Sequence, residues 1–315
     1  MTFTDGVRGV KKGCQIEDNV KRLVVNAYVE GPDMEGVKRR LIEDLSVSIS
    51  ISTIWRAVSF VAKSSRGIAP LEDLLSPPSK YACVDEKFIS AHGKKKPQLF
   101  AICPETNLPL LQKLLRNREE PAITSVAKAL KKMGILVGVT DDFKTYAPAL
   151  KVAGLRHQKC HFHAIRAAHR AMKKAHIQKK RRKKFVGWIR NFLRSKTLKE
   201  ARSWLRVIGR MRAEKKLKRF LKSFLFDWKD YFTYLEYPGC PKTSNAVEQF
   251  NRRFEQKYQS MHGFRKERTA RSFTSLFTLH SMFRKFESGN NKGRSPLEIA
   301  GIQLAANSIF DILPH

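Results

Sequence analysis

The stretch ILVGVTDD, residues 135–142, decides the fold. An uncharged, largely apolar run of strand length predicts a strand buried on both faces, as the middle of a parallel sheet requires, and two aspartates stand at its C-terminal end. Upstream, YACVDEKFIS (81–90) and PQLFAICPE (97–105) read as two strands around the turn HGKKK, and LPLLQKLL reads as a third strand or a helix start. EEPAITSVAKALKKMG is a helix, with Pro121 early and Gly134 after it. Downstream come a short helix, TYAPALKVAG, and a further strand, RHQKCHFH (156–163). The chain then reads as basic helix from residue 164 to about 236, followed by the helices TSNAVEQFNRRFEQKYQ (243–259) and RTARSFTSLFTLHSMFRKF (268–286). A mixed sheet followed by helices predicts an α/β fold with a helical insertion.

Ahead of the sheet, three short helices are expected. Val20, Leu23, Val24, Ala27 and Tyr28 recur at helical spacing, and Gly31-Pro32 ends that helix. Asp33 can cap a second helix burying Val37, Leu41, Ile42 and Leu45. After the turn Ser46-Val47-Ser48, a third helix from about Ser50 to Ala62 turns Ile51, Ile54, Trp55 and Val58 inward. Three helices with a tight turn before the last are a helix-turn-helix pattern, and Ser52, Thr53 and Arg56 at the start of the third can reach base edges and phosphates. Pro77-Pro78 marks a boundary near 76–79. The expected division is 1–76 for the DNA-binding helices and linker, 77–163 for the first part of the sheet core, 164–240 for the insertion, and 241–315 for the rest of the core.

Charge narrows the partner. The 315 residues hold 62 basic and 28 acidic side chains, a formal charge of +34. The segment 164–240 alone holds 24 basic and 5 acidic residues, so a polyanion, DNA above all, is the expected ligand. Within it, Lys179, Lys180, Arg181, Arg182, Lys183 and Lys184 form an unbroken cationic run suited to phosphates. Trp188, Trp204 and Trp228 are expected in the core of the insertion, with stacking on an unpaired base as the alternative. No apolar stretch reaches the roughly 18 residues of a membrane span. The opening MTFTDGVRGVKKG has no hydrophobic leader, and five scattered cysteines suit a reducing compartment, so the expected setting is the cytoplasm, on the nucleoid.

In so acid-poor a chain, carboxylates in apolar strands need a reason. Asp85 follows Tyr-Ala-Cys-Val, Asp141 ends the central strand, and Glu248 sits one turn into a helix after Ser244 and Asn245. Two strand-end aspartates and a helix glutamate can converge on two Mg²⁺ or Mn²⁺ ions and cleave a phosphodiester. Other readings stay open on the residues alone. Asp85 could pair with Lys87; Asp141 could cap the next helix, with Asp142 in its metal role; Glu248 could cap with Asn245 or pair with Arg252.

The order VDEKFI, VTDDFKTY, CHFH, TSNAVEQFNRRF resembles that of prokaryotic insertion-sequence DDE transposases, in particular those related to the Mutator-like group. The resemblance covers roughly residues 17–302. It implies an RNase H-like catalytic core, with Asp85, Asp141 and Glu248 as the catalytic acids. The 106 residues between Asp141 and Glu248 then hold a helical insertion. Cys160 and His163 match the group's Cys-x-x-His signature, which is half a zinc site, with Cys240 a third ligand only if the fold brings it close. His161 is placed opposite Phe162 on a strand. The expected activity is cutting of transposon ends and joining of the 3′-hydroxyl to target DNA, by a dimer or higher oligomer on double-stranded DNA. The alternatives are an inactive DNA-binding relative and an RNase H-like nuclease. A tyrosine recombinase would need a nucleophile such as Tyr258, near Arg252 and His262, but no further catalytic residues gather around it.

Overall fold

A computed structural model describes residues 18–31, 33–68, 79–210, 217–302 and 308–312. The opening segment, Pro77-Pro78 and most of the expected 76–79 boundary lie outside them. The described residues form a mixed α/β structure with a five-stranded sheet and thirteen α-helices.

Three helices come first: α1 (Asp18–Glu30), α2 (Met34–Leu45) and α3 (Ile51–Ile68). Asp33 caps α2 by accepting the Gly36 N–H, and Ser46 ends it in the left-handed region at φ 55°. Ser50 Oγ accepts the Thr53 N–H at the start of α3. Val24, Val37, Ile54, Val58 and Val61 are buried between these helices, and α3 packs along α11, the long helix Glu267–Phe283 of the core. Four residues expected inside are exposed instead: Leu23 at 48%, Ile42 at 44%, Leu45 at 47% and Trp55 at 53%. Each helix buries a narrow stripe, because a three-helix module contacts its neighbours along lines rather than over half a cylinder.

The sheet runs β3-β2-β1-β4-β5. Strands β1 (Tyr81–Ala91), β2 (Lys94–Ile102) and β3 (Pro109–Leu114) form an antiparallel meander, so LPLLQKLL is a strand. Strands β4 (Val137–Thr140) and β5 (Arg156–Lys159) add in parallel to β1 through α4 (Glu120–Lys132) and α5 (Tyr146–Val152). Gly138 in β4 lies so close to α5 that a Cβ there would sit 2.8 Å from Leu150 Cδ2.

The two faces of β1 follow from its period of two. Asp85 and Lys87 face α10 (Asn245–Ser260): Asn251 donates to Asp85, and Lys87 pairs with Glu255. Phe100, opposite Asp85 on β2, packs on Phe250 and Phe254 of the same helix. Glu86 faces the other way and receives the Tyr146 hydroxyl of α5.

Past β5 the expectation of a strand to residue 163 fails. Cys160 is the N-cap of α6 (His161–Lys174), so three of the four residues of CHFH are helical. Then come α7 (Lys179–Arg194), α8 (Leu198–Gly209) and α9 (Lys218–Leu225), followed by the single-turn 3₁₀ helices Trp228–Tyr231 and Thr233–Leu235. This insertion has its own apolar cluster, centred on Phe185, Phe192, Phe224, Tyr231 and Phe232. Trp188, Trp204 and Trp228 pack against it, half-buried. The first three helices, the sheet, α10 and α11 share a second, larger cluster. Beyond α11 lie the short helices α12 (Pro296–Ile299) and α13 (Ile309–Ile312).

Candidate active site

The parallel ladder of β1 and β4 pairs Cys83 with Val139. Continued by two residues, that register sets Asp85 level with Asp141. Burial, then the charge of Asp141, pushes the Asp85 carboxyl up to about 6, against the lowering effect of the Asn251 hydrogen bond. Neither aspartate has a Lys or Arg ion-pair partner among the described residues, and Lys87, the sequence alternative for Asp85, pairs with Glu255. Asp141 Oδ1 accepts the Phe143 N–H in a tight local turn rather than capping α5, which starts at Tyr146. Asp142 turns away, paired with buried Lys159 at 2.7 Å and bonded by Ser223.

Glu248 lies in the first turn of α10, one turn before Asn251. Its carboxylate receives the Ser244 hydroxyl at 3.1 Å and stands 3.5 Å from His163 Nδ1. Those partners, rather than Asn245 or Arg252, orient it. Ser244 in turn donates its N–H to Cys160 Sγ, so the Cys-x-x-His pair on α6 grips the segment that leads into α10. Burial alone would lower His163, but the Cys160 hydrogen bond and the nearby charges of Cys160, Glu248 and Asp85 raise it to about 9. Burial alone would raise Cys160; hydrogen bonds from His163 and Ser244 bring it below its ordinary value. Among the described residues, Cys160, His163 and Glu248 form a group within metal-ligand distance, and Cys240 is not part of it. His161 is on α6, buried, and bonded through Nε2 to the Tyr231 carbonyl at 2.7 Å, while Phe162 beside it is exposed.

Sequence reasoning missed the far face of the site. The Glu86 side chain is 4% exposed, pairs with Arg118 and accepts from Tyr146, and burial pushes its carboxyl up to about 7. Arg118 also stacks on Phe143, its guanidinium 3.5 Å from the ring centroid, and so braces the turn after Asp141. The available signal was one more acid beside Asp85 in an acid-poor chain. Asn251, three residues after Glu248 and therefore on the same helix face, was also legible and overlooked.

Ser52 and Arg56 are exposed on α3, and Thr53 is half-buried. Ser50 Oγ lies within hydrogen-bond distance of Ser52 Oγ and Thr53 Oγ1, and Arg56 Nε donates to the Ser52 carbonyl. Lys179, Lys180, Arg181, Lys183 and Lys184 are exposed along the first turns of α7, with Arg182 half-buried. Cations at the positive end of a helix are unfavourable without counter-charge, which fits a polyanion ligand. Tyr258, the recombinase alternative, accepts the Ser90 N–H and stacks on Phe254, so its hydroxyl is engaged in the core. Among the described residues no helix is long and apolar enough to cross a membrane.

No curated protein matches the chain. A model of the Mutator family of transposases matches residues 117–282, a span that starts after Asp85 and holds Arg118, Asp141, the Cys160–His163 pair, the insertion and Glu248. That match covers more than half of the sequence, and the chain belongs to the Mutator family of transposases.

Proposed function

We propose that this transposase cuts transposon ends and joins the freed 3′-hydroxyl to target DNA by metal-assisted phosphoryl transfer, with Asp85, Asp141 and Glu248 as the catalytic acids of an RNase H-like core. The observation that carries this reading is the parallel pairing of β1 with β4, whose ladder runs to Cys83 and Val139, two residues short of Asp85 and Asp141, with the charge of Asp141 felt at Asp85 and the helix of Glu248 tied to Asp85 through Asn251. The sheet order, an antiparallel meander followed by two parallel strands, supports the core assignment. The donor set fits Mg²⁺ or Mn²⁺: it consists of hard carboxylate oxygens, and the charge of Asp141 bears on Asp85 with no Lys or Arg paired to either among the described residues. Bound there, two such ions would activate the attacking oxygen and stabilise the leaving one.

The chain's own residues supply the positioning, which dominates phosphoryl transfer. Asn251 fixes one oxygen of Asp85, and the Phe143 N–H fixes one of Asp141. Ser244 and His163 hold one oxygen of Glu248 and leave the other for a ligand. Arg118, clamped by Glu86 and stacked on Phe143, keeps the Asp141 turn from drifting. Double-stranded DNA would be held by Ser52, Thr53 and Arg56 on α3, acting as the recognition helix of a helix-turn-helix, and by Lys179 to Lys184 on α7. A dimer or higher oligomer on DNA, in the cytoplasm, completes the reading.

The test is Glu248→Gln, with the DNA flanking the gene as source of the ends. The exchange keeps size and helix propensity, so DNA affinity and thermal unfolding should stay within about 1 kcal/mol of wild type. Mg²⁺- or Mn²⁺-dependent cleavage should fall below detection. Cleavage at the wild-type rate would remove Glu248 from the active site.

A further inference from the structure

We propose that the cleft between α6 and α9 binds a single strand of DNA, separated from its complement, next to the acid site. The inference rests on reading that site as the place of strand cleavage, and it adds where the strand lies. The cleft has a volume of about 450 Å³. Asp141 and His163 line it, so it opens beside one proposed catalytic acid and the partner of another, Glu248. Its α6 side carries Ala167 and Ala171, small enough to let a sugar-phosphate backbone approach. Arg170 and Lys174 on α6, Arg219 on α9 and Arg118 also line it. Of the acids there, Asp142 is already paired with Lys159, so cations outnumber free carboxylates.

Charge therefore selects a phosphate chain, and shape selects which one. Helices wall the cleft on two sides, and its volume is that of an ordinary small-ligand pocket, far below what a turn of duplex needs. A single strand fits. Phe143 and Phe220, both half-buried, line the cleft and give the separated strand aromatic surface, with the Arg118 guanidinium 3.5 Å from the Phe143 ring centroid and Arg219 next to Phe220 in the chain. Aromatic rings flanked by cations are how sequence-tolerant single-strand binding is built.

The experiment uses full-length protein without divalent ions and measures binding of a short labelled oligothymidylate and of a random-sequence duplex. Ala167→Trp fills the cleft without changing charge, and exposed Arg219→Glu reverses one lining cation with little risk to folding; thermal unfolding checks both. Oligothymidylate affinity should fall by at least about tenfold in each variant, and duplex affinity by less than about threefold. Unchanged oligothymidylate affinity in the folded variants, or equal losses for both DNAs, would overturn the proposal. Because no metal is present, the two readings fail separately. Glu248-dependent cleavage with unaltered single-strand binding sinks the cleft alone. Selective loss of single-strand binding in a protein that never cleaves sinks the catalytic reading and leaves the cleft standing.

Discussion

Asp85 and Glu86 are consecutive, and the strand sends them to opposite faces: one to Asn251 of α10, the other to Tyr146 and Arg118. Both acids are raised by burial and by the charge of Asp141, but Glu86 has Arg118 paired to it, whereas Asp85 has no Lys or Arg partner and feels only the nearby His163 and hydrogen bonds as counterweights. Asn251 offsets part of that cost. Asn251→Ala should therefore move the Asp85 titration above about 6 and destabilise the fold by roughly 1–2 kcal/mol, as removal of a buried donor to a carboxyl does. A carboxyl-carbon NMR titration and a denaturant melt read the two effects. An unmoved Asp85 would show that the hydrogen bond contributes nothing.

His161 tests the fold from another side. Burial lowers it from 6.5 to about 4, so it is neutral in the folded state, while the unfolded chain takes up a proton between those values. Its contribution is whole above pH 6.5 and is lost as pH falls toward 4. His161→Gln keeps a donor for the Tyr231 carbonyl and removes the titration. Its melting temperature should fall less steeply than that of wild type between pH 6.5 and 4, and equal slopes would contradict this origin of acid sensitivity.

At the scale of elements, α7 begins with its six-residue cationic run at the helix end that repels cations. Reversing the charge of Lys179, Lys180, Lys183 and Lys184 should flatten the dependence of log K on log salt by about 0.9 for each phosphate no longer neutralised. An unchanged slope would mean that this face meets only solvent. Elements were legible where pattern and burial agree. ILVGVTDD reads as a buried strand and is one, and Glu248 falls in the first turn of its helix as its spacing implies. CHFH read as strand because its polar and apolar residues alternate. The helix registers only through Ala164 and Ala168 further on, and Cys160 ends the strand by capping α6. Trp55 and Leu45 misled for a related reason: apolar character marks a helix, but the width of its buried stripe depends on neighbours that a local pattern does not contain.

Across the whole molecule, local spacing says little about how the elements that carry Asp85, Asp141 and Glu248 are arranged. The pairing of β1 with β4 joins segments more than fifty residues apart, and α10 returns to β1 only after the entire insertion. Each acid could be found in sequence as an acid out of place; the grip of Cys160 and His163 on the approach to α10 could not, since it depends on Ser244, 81 residues beyond His163. The insertion folds around its own aromatic cluster and carries much of the +34 charge, so it can meet DNA without distorting the sheet. The central claim is that three carboxylates from β1, the end of β4 and α10 share divalent ions. Anomalous scattering from crystals of the full chain soaked in Mn²⁺ tests it most directly. The account predicts two peaks about 4 Å apart, bounded by Asp85, Asp141 and Glu248, with loss of at least one in Asp141→Asn. Mn²⁺ held elsewhere, with all three carboxylates free of metal, would contradict it.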